Sequence, residues 1–136
     1  MTDLLIVIDM QRDFVSGALG SPEARAITPA VAARIRRAKE EGTQVVFTLD
    51  THETNYMDTR EGRFLPVPHC IRDTQGWALE PDIAAECVPG MMSFEKPTFG
   101  STALCNYVCL LAEKKNAPEG EELFFKIICI VIITNS

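Results

Sequence analysis

Basic residues are scarce in this chain. Its 136 residues carry 13 Lys+Arg against 19 Asp+Glu, so the formal charge is 13 − 19 = −6. With no basic stripe to displace counterions from phosphate, nucleic acid is excluded as the main partner. Long apolar runs are missing too. The longest, residues 123–133, spans 11 positions and is interrupted by Lys126, well short of the roughly 18 a membrane-spanning helix needs. The five cysteines (Cys70, Cys87, Cys105, Cys109, Cys129) include no CxxC pair and are odd in number. They make no disulfide framework and predict free thiols in a reducing compartment. The first eight residues carry Asp3 and lack a basic start and a small-residue cleavage site, so no secretory leader is expected and the cytoplasm is the expected location. At 46% hydrophobic and 24% charged, what remains is an ordinary folding composition. A single domain over residues 1–136 is expected.

Residues 3–9 (DLLIVID) form a short continuous apolar run ending in an acid, the pattern of a strand buried on both faces. Residues 28–42 read as a helix with Thr28 as cap, Pro29 in the first helical position, Val31, Ile35 and Ala38 on one face, and Gly42 as the stop. Residues 44–50 (QVVFTLD) repeat the strand pattern, and two such strands around a helix make a parallel βαβ unit. Residues 51–82 are long, polar and punctuated by Pro66, Pro68 and Gly76, a segment read as functional. Residues 91–95 suggest a strand, residues 101–115 a second helix capped by Ser101, and residues 123–133 a buried strand. Cys105 and Cys109, four apart on that second helix, are expected to pack in or beside the core.

Ligands of open parallel sheets gather outside the carboxyl ends of the strands. Asp9 and Asp50 each end an apolar strand and are expected on that edge. Around Asp50 the chain collects His52, Glu61 and His69, both of its histidines and a further carboxylate within 20 residues. Imidazole and carboxylate donors suit Zn²⁺, Fe²⁺ or Mn²⁺, and the lack of a thiolate in the set favours an open site over a closed structural one. Two surface histidines in a polar loop are the competing reading, and spacing alone leaves both open. Lys96, following the third strand, either pairs with a carboxylate at the site edge or is a solvated loop charge.

The ordered segments Ile8-Asp9-Met10-Gln11-Arg12-Asp13-Phe14, Asp50-Thr51-His52, Leu65-Pro66-Val67-Pro68-His69-Cys70-Ile71 and Glu95-Lys96-Pro97-Thr98-Phe99-Gly100-Ser101 resemble the isochorismatase-like cysteine hydrolases, and within them the nicotinamidase branch. The resemblance implies a three-layer α/β fold, a parallel sheet with helices on both faces. It implies a cysteine amidase cleaving a small amide such as nicotinamide to acid and ammonia through a thioester. Asp9 and Lys96 then match two members of an Asp–Lys–Cys triad. Asp50, His52 and His69 match ligands of a divalent metal, zinc or alternatively iron or manganese, with Glu61 where a glutamate ligand would stand. Phe14 and Trp77 would wall an aromatic substrate, and a homo-oligomer is implied.

The nucleophile is where the chain departs from the resemblance. The family carries a segment like Gly-x-Cys-Thr-Asp-x-Cys-Val-x-Ser/Thr-Asn; the corresponding stretch, residues 126–136, reads KIICIVIITNS. Matching Ile-Cys-x-Val makes Cys129 the nucleophile, whereas matching Thr134-Asn135 without a gap puts Val131 there. The domain is therefore expected to be altered and incomplete at its C-terminus, with the last crossovers missing. Two alternatives accompany the amidase: a non-catalytic metal-binding scaffold that has lost its nucleophile, and an isochorismatase-type vinyl-ether hydrolase.

Overall fold

The computed structural model describes residues 4–97, 101–115 and 127–131, the last of these and 112–115 as backbone only. β1 (Leu4–Ile8) enters first, and its first four residues are buried. The short α1 (Arg12–Val15) and long α2 (Pro22–Glu40) follow, then β2 (Gln44–Asp50), with five consecutive buried residues. A 3₁₀ turn (Tyr56–Asp58), α3 (Arg60–Phe64) and α4 (Pro81–Ala84) lead to β3 (Met92–Lys96), α5 (Thr102–Lys115) and β4 (Ile127–Val131).

The four strands are parallel in the order β3-β2-β1-β4. The chain winds outward through β2 and β3, then crosses β1 to add β4 on the other side. That reversal is a topological switch point, and it lies at the carboxyl end of β1. Side chains alternate across each strand, so the sheet has two apolar faces. Leu5, Val7, Val45 and Phe47 pack with Val31, Ala32, Ile35 and Ala38 of α2 on one face; Leu4, Ile6, Val46 and Phe94 meet Leu104, Tyr107, Val108 and Leu111 of α5 on the other. Helices thus cover both faces, the three-layer α/β arrangement expected. Burying each Leu, Val or Phe contributes about 1.5–3 kcal/mol.

The long helix begins earlier than its sequence signal at Thr28. Ser21 is the cap, its side chain accepting from the Ala24 N–H at 3.1 Å, with Pro22 in the first position and Glu23 in the first turn. The Ser-Pro-Glu string offers the same cap-and-proline pattern seven residues upstream of Thr28-Pro29, and the apolar face of Ala24 makes the extra turns worth burying. Thr28 is instead a buried interior residue whose hydroxyl donates to the Ala24 carbonyl at 2.9 Å, and Pro29 lies inside the helix. Cys105 and Cys109 also depart from expectation: both are exposed, because the α5 face that meets the sheet is the one bearing Leu104, Val108 and Leu111. Of the expected strand over 123–133, only 127–131 fall within the described residues.

Ser21→Ala is expected to cost about 1 kcal/mol and to lower Tm measurably in thermal melts. Thr28→Ser, which keeps the hydroxyl, should cost less; a neutral Ser21→Ala would place the helix start elsewhere.

Candidate active site and metal centre

Three strand ends converge at the switch point. Asp9 follows β1 in the left-handed region, φ +53°, a conformation uncommon for a side chain with a Cβ. Lys96, the last residue of β3, reaches over β2 and donates to Asp9 Oδ2 at 2.8 Å. The lysine is only 7% exposed, and a lysine is almost never that buried unless paired. Of the two sequence readings of Lys96, paired or solvated, the structure takes the first. Asp9 Oδ1 accepts from the Thr48 hydroxyl at 2.7 Å.

Beside this ion pair stand Asp50, His52 and His69. One donor atom from each lies within 4.8 Å of the others. Asp50 Oδ2 is 3.0 Å from His52 Nε2 and 3.4 Å from His69 Nε2, and both imidazoles are buried. The His69 Nδ1–H donates to the Val67 carbonyl at 2.7 Å, which leaves Nε2 as the inward-facing atom. That is the arrangement by which a backbone acceptor fixes the tautomer of a metal-binding histidine. A mixed imidazole–carboxylate set, buried and converging on one point, fits a divalent cation of the zinc type.

Glu61 takes a different position from the other three. Its Oε2 is 3.7 Å from His52 Nδ1, on the side of the ring away from Asp50. It stands behind His52, outside the group of three converging atoms. Phe14 borders the cluster, its ring edge-on to His69 with centroids 5.5 Å apart. Trp77 is fastened at the end of β2: its indole N–H donates to the Thr51 hydroxyl at 2.9 Å. A cavity of about 240 Å³ opens beside His52, bounded by Thr51, Tyr56, Arg72 and Pro97.

Cys129 is placed by backbone alone. It occupies the middle of β4, paired in register with Ile6, while Val131 pairs with Ile8. Cys129 therefore lies three residues below the level of Asp9, roughly 10 Å along the sheet at a strand's rise.

Several residues of the site carry no chemical signal of their own in the sequence. Gln11 is fully buried; its amide donates to the Asp50 and Trp77 carbonyls and accepts from the Asp50 N–H, each at 2.8 Å. Asp13 Oδ2 accepts from the Cys70 N–H at 2.7 Å, which holds the His69–Cys70 corner, where Cys70 sits at φ +49°. Gly76 packs on that carboxylate, where any Cβ would collide with it. Tyr56, 2% exposed, lays its ring against both imidazoles and donates its hydroxyl to the Leu65 carbonyl at 2.8 Å. Burial first, then the Glu61 and Asp50 charges, raise its pKa and keep it a neutral phenol. Cys70 follows His69 and is fully buried. Desolvation first, then Asp50, Asp13 and Asp9, drive its thiol pKa far up against the smaller opposing effect of Lys96, so it is no thiolate nucleophile.

Burial pulls the His69 pKa down, but the bonds to Asp50 and the Val67 carbonyl, with the charges of Asp50 and Asp13, outweigh it and raise it above 6.5. In the metal-free chain His69 therefore adds stability below the unfolded imidazole pKa, and that stability is lost as pH rises through the raised folded value. Zinc competes with the same proton and has the opposite dependence. Melts of the metal-free protein should show Tm falling on going from pH 6 to pH 8 through this group, whereas the Tm increment from added zinc should grow. His69→Ala is expected to abolish both trends and to weaken zinc at least about 10-fold by calorimetry.

The fold is shared with known proteins. Residues 3–115 match the model of the isochorismatase domain. Among solved structures, the chain resembles a nicotinamidase/pyrazinamidase from Bacillus subtilis at 27% identity and TM-score 0.70, over 96% of this chain and 72% of that one. A pyrazinamidase from Pyrococcus horikoshii, solved in complex with zinc, is similar at 30% identity and TM-score 0.62, with the same coverage of 96% and 72%. An N-carbamoylsarcosine amidase from Thermoplasma acidophilum shares the fold at 23% identity and TM-score 0.68, over 95% of this chain and 68% of that one. No curated protein matches. The chain belongs to the isochorismatase family, whose characterised members among these neighbours are hydrolases.

Proposed function

We propose that this chain is a nicotinamidase-like hydrolase that cleaves the C–N bond of a small amide. The observation that carries the proposal is the buried Lys96–Asp9 ion pair, 2.8 Å long, set beside the Asp50, His52 and His69 cluster at the switch point. An acid–base group and a metal-type donor set at one strand edge are the parts of a metal-assisted amidase.

In this reading Asp9 takes the proton of the nucleophilic thiol and returns it to the leaving nitrogen, so that ammonia departs as the acyl group passes to sulfur. Water then hydrolyses the thioester, with Asp9 as general base. Lys96 pairs with the Asp9 carboxylate at 2.8 Å and fixes its direction. Phe14 and Trp77 flank the ring of the substrate. Asp50, His52 and His69 would hold the metal, zinc in preference to iron or manganese, while Glu61, at the far nitrogen of His52, would brace that ring instead of acting as a fourth ligand. A divalent ion held there would supply Lewis-acid chemistry beside the Asp9–Lys96 pair. The same reading includes a cytoplasmic homo-oligomer; among the described residues no helix is long and apolar enough to cross a membrane.

The resemblance offers Cys129 as that thiol, with its backbone roughly 10 Å along the sheet from the level of Asp9. Its register opposite Ile6, below the level of Asp9, favours a second reading, in which the chain keeps the acid–base pair and the metal centre but not the thioester chemistry. A vinyl-ether hydrolase is the third, and it would retain turnover on chelation.

Ammonia release from nicotinamide by the zinc-loaded chain separates the first two readings, and turnover of a vinyl ether that survives a chelator would support the third. The amidase reading expects turnover that falls at least 10²-fold in Asp9→Asn and in Cys129→Ser and is lost with a chelator. Equal rates for Cys129→Ser and the parent would remove Cys129 as nucleophile. Stoichiometric zinc binding without turnover would leave the scaffold reading standing.

A further inference from the structure

Thr48 breaks the pattern of its strand. Its neighbours along β2 are Val45, Val46, Phe47 and Leu49, and it lies between Ile8 and Phe94 in the sheet register. It is 1% exposed, so apolar burial alone would fill this position with Val, which has the same shape. A hydroxyl buried there requires partners, and both of its hydrogen bonds go to Asp9. It accepts from the Asp9 N–H at 3.2 Å and donates to Asp9 Oδ1 at 2.7 Å. The Asp9 N–H also reaches the Thr48 carbonyl at 3.1 Å.

These contacts close a ring around a residue that would not hold its geometry unaided. Asp9 lies just past the end of a strand with φ +53°, outside the region strand residues adopt. Its side chain is about a quarter exposed and is free to swing about χ1 unless both oxygens are committed. Lys96 commits Oδ2, and Thr48 commits Oδ1 together with the backbone N–H.

We propose that Thr48 is the positioning residue of this hydrolase: its hydroxyl fixes the left-handed turn of Asp9 and the rotation of its carboxylate, so that the proton acceptor meets Lys96 in one orientation. The proposal rests on the amidase reading for its catalytic consequence, though not for its geometry. Thr48 acts through Asp9 and touches no substrate. A displaced general base loses rate and leaves binding intact, and misplacement by about 1 Å costs on the order of 10²-fold.

The test uses Thr48→Val, which keeps the shape and removes the hydroxyl, and Thr48→Ser, which keeps the hydroxyl and removes the methyl. The first readout needs no activity: the ¹⁵N resonance of the Lys96 ammonium, assigned with Lys96→Arg, in zinc-loaded protein. It is expected to shift or vanish into solvent exchange in Thr48→Val and to persist in Thr48→Ser, with zinc stoichiometry unchanged in both. The second is nicotinamide hydrolysis, where Thr48→Val should lower kcat about 10²-fold with KM within about twofold, and Thr48→Ser should restore kcat to within about threefold. An unchanged Lys96 resonance in Thr48→Val overturns the proposal whatever the activity. So does a loss in Thr48→Ser equal to that in Thr48→Val, since packing would then be the cause, or a rise in KM at constant kcat. If the resonance responds as expected while the parent shows no turnover, the positioning role stands and the amidase reading fails.

Discussion

The side-chain amide of Gln11 is the contact on which the rest of the site depends. Parallel strands end without hairpins, and β1 stops at Ile8, so the edge of Asp50 that faces β1 has no strand partner there and its backbone groups need others. Gln11 answers for both of them and for one group more. It pairs with both the N–H and the carbonyl of Asp50 and with the carbonyl of Trp77. Each of these groups, left buried and unpaired, would cost about 1–3 kcal/mol. One side chain from the β1 exit therefore sets the backbone at which β2 releases its carboxylate, and it anchors the segment that returns past Gly76.

From that anchor the irregular region between β2 and α4 is organised by short polar links instead of an apolar core. His52 donates its N–H to the Cys70 carbonyl and accepts from the Arg72 N–H. This bridge sets the two imidazoles side by side although 17 residues separate them in the chain. Asp13 supports the corner from below, and Tyr56 supplies the apolar wall. A site built this way holds two strained residues, Asp9 and Cys70, both at positive φ. Such strain persists only where the surroundings over-determine the conformation, and here the backbone N–H of each is bonded to a side chain, Thr48 for Asp9 and Asp13 for Cys70.

Electrostatics follow the same plan. Asp9, Asp13 and Asp50 lie close enough together for all three to raise the Cys70 thiol pKa. Three carboxylates this close together call for positive charge nearby. Lys96 supplies one unit internally, and His69 takes up a proton more readily than a free imidazole for the same reason. A divalent ion at Asp50, His52 and His69 would answer the remainder, which is why acid, base and metal-type donors belong to one arrangement.

Much of this was legible in the amino-acid sequence. The runs DLLIVID and QVVFTLD gave both central strands because continuous apolar stretches bounded by acids have few other solutions, and QVVFTLD matches β2 residue for residue. Ser101 as cap of α5 was legible as well, its hydroxyl accepting from the Leu104 N–H. The spacing and donor types of Asp50, His52 and His69 raised a shared site against two surface histidines, and the burial of both imidazoles beside Asp50 decided between them. What the sequence left open was every feature that depends on contacts between distant segments. Whether Lys96 was solvated or paired depended on β3 lying next to β2, 87 residues from Asp9. The start of α2 depended on which of two cap-and-proline strings found apolar surface to cover. Glu61 facing the far nitrogen of His52, the double role of Gln11 at Asp50, and the hydroxyl of Thr48 beneath Asp9 have no periodicity or motif to announce them. The sequence by itself determined which strands form and which chemical groups leave their ends; the tertiary structure alone decided which groups share a proton, because hydrogen bonds between strand ends exist only once the sheet order is set.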